Sequence, residues 1–570
     1  MADNKNKERK GGEDELFNFS DGDVMKENVK PGKEHNLINK ATGQGESRQP
    51  AAPKQELQPH PVMEQLDGVE YCVNSPPPWK EAVLLGFQHY ILTLGTTVLI
   101  PTMVVSEIGG DNAEKARVIQ TLLFLSGFST LMQTMFGTRL PAVVGGSHAY
   151  LIPIFSIIHA KRYNIFSEPH ERFAQTMRGI QGALVITSAF QMIIGFLGLW
   201  RNIVKYLSPL SVVPLITFTG LGLYYLAFPM LGKCVEIGLA ELVLIVLISQ
   251  YLPPYLTSKK PMYDRFAVLL SVSIAWTCAG ILTWSGAYPK STDTLNTCRT
   301  DRSGLIYGAP WIYVPYPFQW GTPTFDVGEV FVMVVASFVS SIESTGLFLA
   351  TARYGSATPV PPSILSRGIG WLGVGTFLGG MCGTVTGFAA STENCGALAL
   401  TRVGSRRVIQ ISAAFMIFFS VFGKFGAVFA SIPLPIAAAL YCICFGCVSS
   451  AGLGHLQFCN LNSFRTKFIL GLSFSLGLSL PQFFREHWFG SNHGPVHAHA
   501  RWFDNMASVV LMSHASVAVM IAMALDCTLC QGNDEYRKDW WEKFAVYGKD
   551  VRSHEFYKLP WQLNKLFPAL

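Results

Sequence analysis

The sequence predicts an all-α protein that crosses a membrane many times, and three observations predict it. Only 14% of the 570 residues are charged while 49% are hydrophobic. Soluble domains carry about 25% charged residues, so this chain has too little charge to clothe a water-facing surface. The apolar residues are also gathered into runs of roughly twenty, the length that crosses about 30 Å of hydrocarbon as a helix. Lys and Arg, finally, collect in alternate connections between these runs, as they do when cytoplasmic loops retain them.

Residues 1–75 carry mixed charge, few aromatics and no helical period, the composition of a disordered cytosolic tail. Asn18-Phe19-Ser20 fits a glycosylation sequon that has no meaning on the cytosolic side. The opening stretch has no apolar signal-peptide core, so the first span is expected to direct insertion. Pro76-Pro77-Pro78 makes a stiff entry, and Trp79 suits the headgroup interface. Spans are expected near 82–104, 117–137, 141–158, 179–199, 209–230, 236–256 and 265–286. A second set follows near 329–352, 368–388, 391–403, 408–425, 429–451, 466–481 and 505–526. The third and tenth are short or polar, and the thirteenth is short. Basic residues after even-numbered spans, such as Arg139, Arg201, Lys259, Arg353, Arg402 and Arg465, place both termini in the cytosol. The longest connection, 287–328, divides the spans seven and seven. An odd number in each half forces opposite orientations, the inverted repeat of many secondary transporters. The domains expected are thus a tail (1–75), a first repeat (76–286), an extramembrane loop (287–328), a second repeat (329–526) and a cytosolic C-terminal tail (527–570).

Several classes are excluded. The net charge of +6 follows from loop cations and does not call for a nucleic-acid partner. Most of the twelve cysteines stand in apolar runs, where Cys behaves as a small hydrophobe; no disulfide framework, metal site or redox role for Cys527 and Cys530 is expected. An enzyme would need a nucleophile–base pair, metal-ligand spacing or a phosphate loop, and none is legible.

Charged groups inside spans are expensive and point to function. Gln88 and His89 interrupt the first span, Glu343 the eighth, and Glu393-Asn394 the tenth. Glu343 falls near mid-membrane, where a carboxylate must be paired, wet or able to take up a proton, and no intramembrane cation is expected near it. His89 is either a proton relay or a histidine bonded to a neighbouring helix. Gly145-Gly146-Ser147-His148 in the first half and Ser391-Thr392-Glu393-Asn394 in the second are matching polar interruptions. Such pairs free backbone groups to face a ligand.

The run Glu393-Asn394-Cys395-Gly396-Ala397-Leu398-Ala399-Leu400-Thr401-Arg402 resembles the signature of the nucleobase–ascorbate transporter family. Gly86-Phe87-Gln88-His89-Tyr90, Gly137-Thr138-Arg139-Leu140-Pro141, Ile342-Glu343-Ser344-Thr345-Gly346 and Lys424-Phe425-Gly426-Ala427 extend the likeness from about residue 60 to the C-terminus, closest to plant members. The resemblance implies fourteen spans in two inverted sevens, divided into a core and a gate domain that move against each other, usually in a homodimer at the plasma membrane. It implies secondary transport of nucleobases with protons as the coupling ion and no other cofactor. Glu343, Glu393, Thr392 and the His148 backbone would contact substrate, with Asn394 braced against Ser147. Glu343 and His89 are the candidates for carrying protons, His89 with the bracing alternative still open, and Gln88, Gly396, Thr401 and Arg402 would be structural. Glu393 also favours bases over ascorbate, because two carboxylates repel an anion. This chain departs from the family pattern at His148, Leu347 and Gly379, where an aromatic, an acid and a supporting Asp are usual. The alternatives are an ascorbate or other anion carrier of the same fold and, because of Gly379, a weakly active carrier or a scaffold.

Overall fold

Proline fixes where the membrane region starts. The residue preceding each proline is steered away from the helical region, so no helix runs through Pro76–Pro78, and α1 (Trp79–Ile108) begins directly after them. The computed structural model describes residues 66–529 and 556–565, apart from position 67 and loop stretches at 161, 164, 256–262, 289–296, 302–304, 492–493, 497 and 499. The tail as far as residue 65, the Asn18 sequon, Cys530 and most of the C-terminal tail lie outside the described residues.

α1 is followed by α2 (Asn112–Met135), a strand β1 (Val144–Gly146) and α3 (Leu151–Ile158). Next come α4 (Pro169–Phe196), α5 (Pro209–Leu221), α6 (Val235–Val246) and α7 (Ala267–Trp284). The second half begins with α8 (Val327–Tyr354), α9 (Pro362–Cys382), a strand β2 (Phe388–Ala390) and α10 (Thr392–Thr401). It continues with α11 (Arg406–Val421), α12 (Leu434–Gly454), α13 (Phe464–Ser491) and α14 (His514–Thr528), the last preceded by a helix at Arg501–Leu511. Among the described residues, seven helices are long and apolar enough to cross a membrane. Two bent pairs raise this to nine: α11 with Gly423–Ala430, and Trp502–Leu511 with α14.

The expected thirteenth span, 466–481, is corrected. It is not short, because α13 continues for ten residues past Pro481. Arg485 and Glu486 end the apolar run but not the backbone hydrogen bonding, which does not depend on side-chain polarity.

Three of the closest helix pairs join the two halves, α4 against α9, α2 against α11 and α5 against α12, while α13 packs against α14 within the second half. Glycine makes the closest of these approaches possible. A Cβ on Gly195 of α4 would sit 2.2 Å from the Gly370 nitrogen of α9, the small-residue contact that membrane helices use where hydrophobicity alone gives no preference for a partner.

The loop after α7 behaves as a clasp. Cys234 and Cys298, 64 residues apart, form a disulfide, and Thr297 Oγ1 donates to the Lys233 carbonyl at 2.9 Å. The later part of the loop lies across α9 and α11. Phe318 N donates to Met381 O at 2.7 Å and Tyr313 N to Val421 O at 2.9 Å. Trp320 Nε1 reaches Gly383 O at 3.0 Å. The expectation that the cysteines serve only as small hydrophobes is therefore corrected for this pair. Nothing in the spacing marks them as partners; the fold brings their Cα atoms to 5.5 Å.

Candidate functional site

The two polar interruptions meet. Gly145 and Gly146 give β1 no helical preference, and β1 pairs antiparallel with β2 in the register Val144↔Ala390, Gly145↔Ala389 and Gly146↔Phe388. Each strand supplies the hydrogen bonds that the other lost on leaving the helix, a requirement wherever water is absent. Both strands then turn into helix N-termini. Ser147 Oγ accepts from Ala149 N at 3.3 Å, and Ser391 Oγ accepts from Asn394 N at 3.3 Å.

A cavity of about 210 Å³ opens beside these two turns. Ser147, His148, Thr392, Glu393 and Glu343 all line it, so the fold brings together five of the expected site residues. Glu343 is half-buried in the middle of α8, and its Oε1 accepts from Ser513 Oγ at 2.8 Å. Glu393 is 4% exposed, and its Oε1 accepts from Thr96 Oγ1 of α1 at 2.8 Å. Leu347, one turn beyond Glu343, lines the same cavity. Flat side chains, Phe218, Tyr225 and Trp488, form part of its walls.

Other expected residues lie elsewhere. Asn394 does not line the cavity and is not braced against Ser147. Its Nδ2 donates to Thr93 Oγ1 and Ser391 Oγ, both at 2.8 Å, and its Oδ1 lies 2.9 Å from His89 Nδ1. Ser147 is instead tied to Gly387 and Thr386 of the β2 approach. Asn394 and His89 thus bolt α10 to α1 away from the cavity lining. Gln88 Nε2 donates to Arg265 O at 3.2 Å, joining α1 to the start of α7.

Gly396 packs α10 on α12, where a Cβ would fall 2.2 Å from Cys444 O. Thr401 Oγ1 closes α10 on Ala397 O at 2.8 Å, and Arg402 caps that helix with a left-handed φ of 57°. At Gly379 a Cβ would lie 2.6 Å from Thr384 Oγ1 and 2.9 Å from Phe388 Cε2, so the Phe388 ring occupies the space a side chain would need.

Three site-forming residues escaped sequence reasoning. Arg485 of α13 lines the cavity, its guanidinium 3.6 Å above the Tyr225 ring. This corrects the expectation that no cation stands near Glu343. His514 and Ser513, at the start of α14, line it too. A fully buried acid, Glu241 of α6, was also passed over, although it interrupts the sixth span as Glu343 interrupts the eighth.

The model of a permease family matches residues 80–486 of this chain. Nucleobase-ascorbate transporter 7 of Arabidopsis thaliana is 57% identical over 519 residues, covering 90% of this chain and 96% of its own length. The chain belongs to the nucleobase–ascorbate transporter family. A further family member, nucleobase-ascorbate transporter LPE1 of Zea mays, is 54% identical over 526 residues, covering 91% of this chain and all of its own. Members of this family are membrane transporters, and this chain is a multi-pass membrane transporter rather than an enzyme. The solved structure of SLC26A9 overlaps 78% of this chain and 65% of its own at 12% identity, with a TM-score of 0.43.

Proposed function

We propose that the protein is a secondary active transporter that carries nucleobases with protons. The observation that carries this reading is the convergence of two carboxylates, Glu343 and Glu393, from separate elements on one cavity beside the β1–β2 pair. A ring N–H of a purine or pyrimidine donates to a carboxylate. The flat walls suit stacking, and the freed backbone at His148 and Thr392 offers further contacts. Glu343 is the coupling group of this reading. It carries the proton when its only protein partner, among the described residues, is the Ser513 hydroxyl. His89, held away from the cavity lining by Asn394, takes a bracing role in this proposal rather than a relay role.

The wider picture belongs to the same proposal. Fourteen spans in two inverted sevens, with β1–α3 and β2–α10 as the broken third and tenth, would give both termini to the cytosol. The core bearing Glu343 and Glu393 would then slide against a gate bearing α13 and α14, in a plasma-membrane homodimer. A second reading, an ascorbate or other anion carrier of the same fold, is supported by one observation, the Arg485 cation in the cavity wall.

The test is uptake of labelled xanthine, uric acid, adenine, uracil and ascorbate in cells without their own carriers, at two external pH values. Proton coupling predicts faster uptake in acid that collapses with a protonophore. Glu343→Gln should remove the pH response and reduce uptake by roughly a hundredfold, the scale of a lost acid–base group. Undiminished, pH-dependent uptake in that variant would sink the role given to Glu343.

A further inference from the structure

The cavity that holds the two carboxylates is also lined by cationic and imidazole groups. These are Arg485 of α13, His514 at the start of α14 and His148 before α3. Among the described residues, four of their nitrogens are buried without a hydrogen-bond partner: Arg485 Nη1, His514 Nε2, and both Nδ1 and Nε2 of His148. Buried polar atoms are almost always satisfied, and a group of four around one cavity is the signature of something that binds there. Their chemistry limits what that is. A guanidinium has five donors and no acceptor, and a neutral imidazole offers one of each. Tyr225 holds the guanidinium, 3.6 Å from the ring centroid, and Nη1 is left available to a ligand.

We propose that Arg485, with His148 and His514, selects planar ligands whose edge is rich in oxygen acceptors, an oxidised purine or an enediol lactone such as ascorbate, over amino-substituted bases. This rests on the transport reading above. It gives each side of the ligand its own reader: Glu343 and Glu393 accept from ring N–H groups, and Arg485 donates to carbonyl or deprotonated oxygens on the opposite edge. An exocyclic amino group turned towards Arg485 sets donor against donor and leaves the guanidinium unsatisfied, the arrangement by which polar sites reject near-isosteres. The positive charge also offsets the repulsion that two carboxylates would exert on an anion.

Two measurements test this. In concentration series of uptake, xanthine, urate and ascorbate are compared with adenine. Arg485→Gln should raise KM for the oxygen-rich ligand by roughly tenfold more than it raises that for adenine. Arg485→Lys should recover part of the loss, as a charge without the fork. The three oxygen-rich compounds, run separately, tell an oxopurine from ascorbate. The second measurement needs no transport: the same compounds are titrated into purified full-length protein and its melting temperature is read. Oxygen-rich ligands should raise it and adenine should not, and the shift should vanish in Arg485→Gln. Binding without uptake would overturn the transport reading and uphold the selective wall. Equal stabilisation by adenine and xanthine, or an unchanged ligand ratio in Arg485→Gln, would overturn the wall.

Discussion

At Gly396 the packing leaves no room for a side chain. The Cys444 carbonyl of α12 would stand 2.2 Å from an added Cβ, with Cys444 Cα at 2.5 Å, and backbone cannot rotate aside. Gly396→Ala should cost about 1–3 kcal/mol, as overpacking does, read as a lower melting temperature of the purified protein. Gly379 makes a related point. An aspartate there would have to displace Phe388, which is fully buried, so Gly379→Asp should lower the melting temperature and should not raise uptake. Faster uptake in that variant would mean the site lacks a carboxylate after all. Glu343, Glu393 and Gly396 were legible because polar residues and glycines stand out against apolar runs. Arg485 was not, since it follows an apolar run whose end looks like the end of a span. His514 was not, because its neighbours in the sequence say nothing of Glu343, 171 residues away on α8, with which it shares the cavity.

The decisive elements are short. β1 and β2 have three residues each, too few for independent stability, and they persist because each saturates the other inside a packed helical frame. The loop clasp is the other element-scale device. Its disulfide holds Cys298 to the residues just before α6, while Trp320 and Phe318 hold its far end to α9. Cys298→Ser should therefore lower stability by about 2–4 kcal/mol, measured as a fall in melting temperature that a reducing agent reproduces in the unmodified protein. No further fall on reduction is expected in the variant. Both interruptions were visible in the sequence as glycine and hydroxyl clusters, but their pairing was not. The register joins residues nearly 250 apart, and a three-residue strand carries no pattern that specifies a partner.

On the scale of the molecule, the cavity is closed by side chains from both ends of the chain's membrane region. Thr96 of α1 holds Glu393, and Ser513 beside α14 holds Glu343. Under the proposed topology, epitope tags at either terminus should bind antibody only after permeabilisation. A tag inserted within 289–296 should bind on intact cells. A C-terminal tag labelled on intact cells would overturn the assignment made from loop charge. The hydrogen bond between Ser513 and Glu343 would break whenever the core slides past the gate, so Ser513→Ala should alter uptake rate more than the stability of the protein.

The sequence by itself determined the membrane class, the order and approximate limits of most helices, and Glu343 and Glu393 as candidate acids. Those properties are local: hydrophobic length, polar interruption and loop charge are read within one turn or one span. Only the tertiary structure decided which interruptions pair, that Asn394 and His89 face each other away from the cavity lining, and that Cys234 meets Cys298. It alone placed Arg485 and His514 on the same cavity as Glu343 and Glu393. Each of these depends on contacts between segments far apart in the chain, and such contacts are set by how helices pack rather than by what any one helix contains.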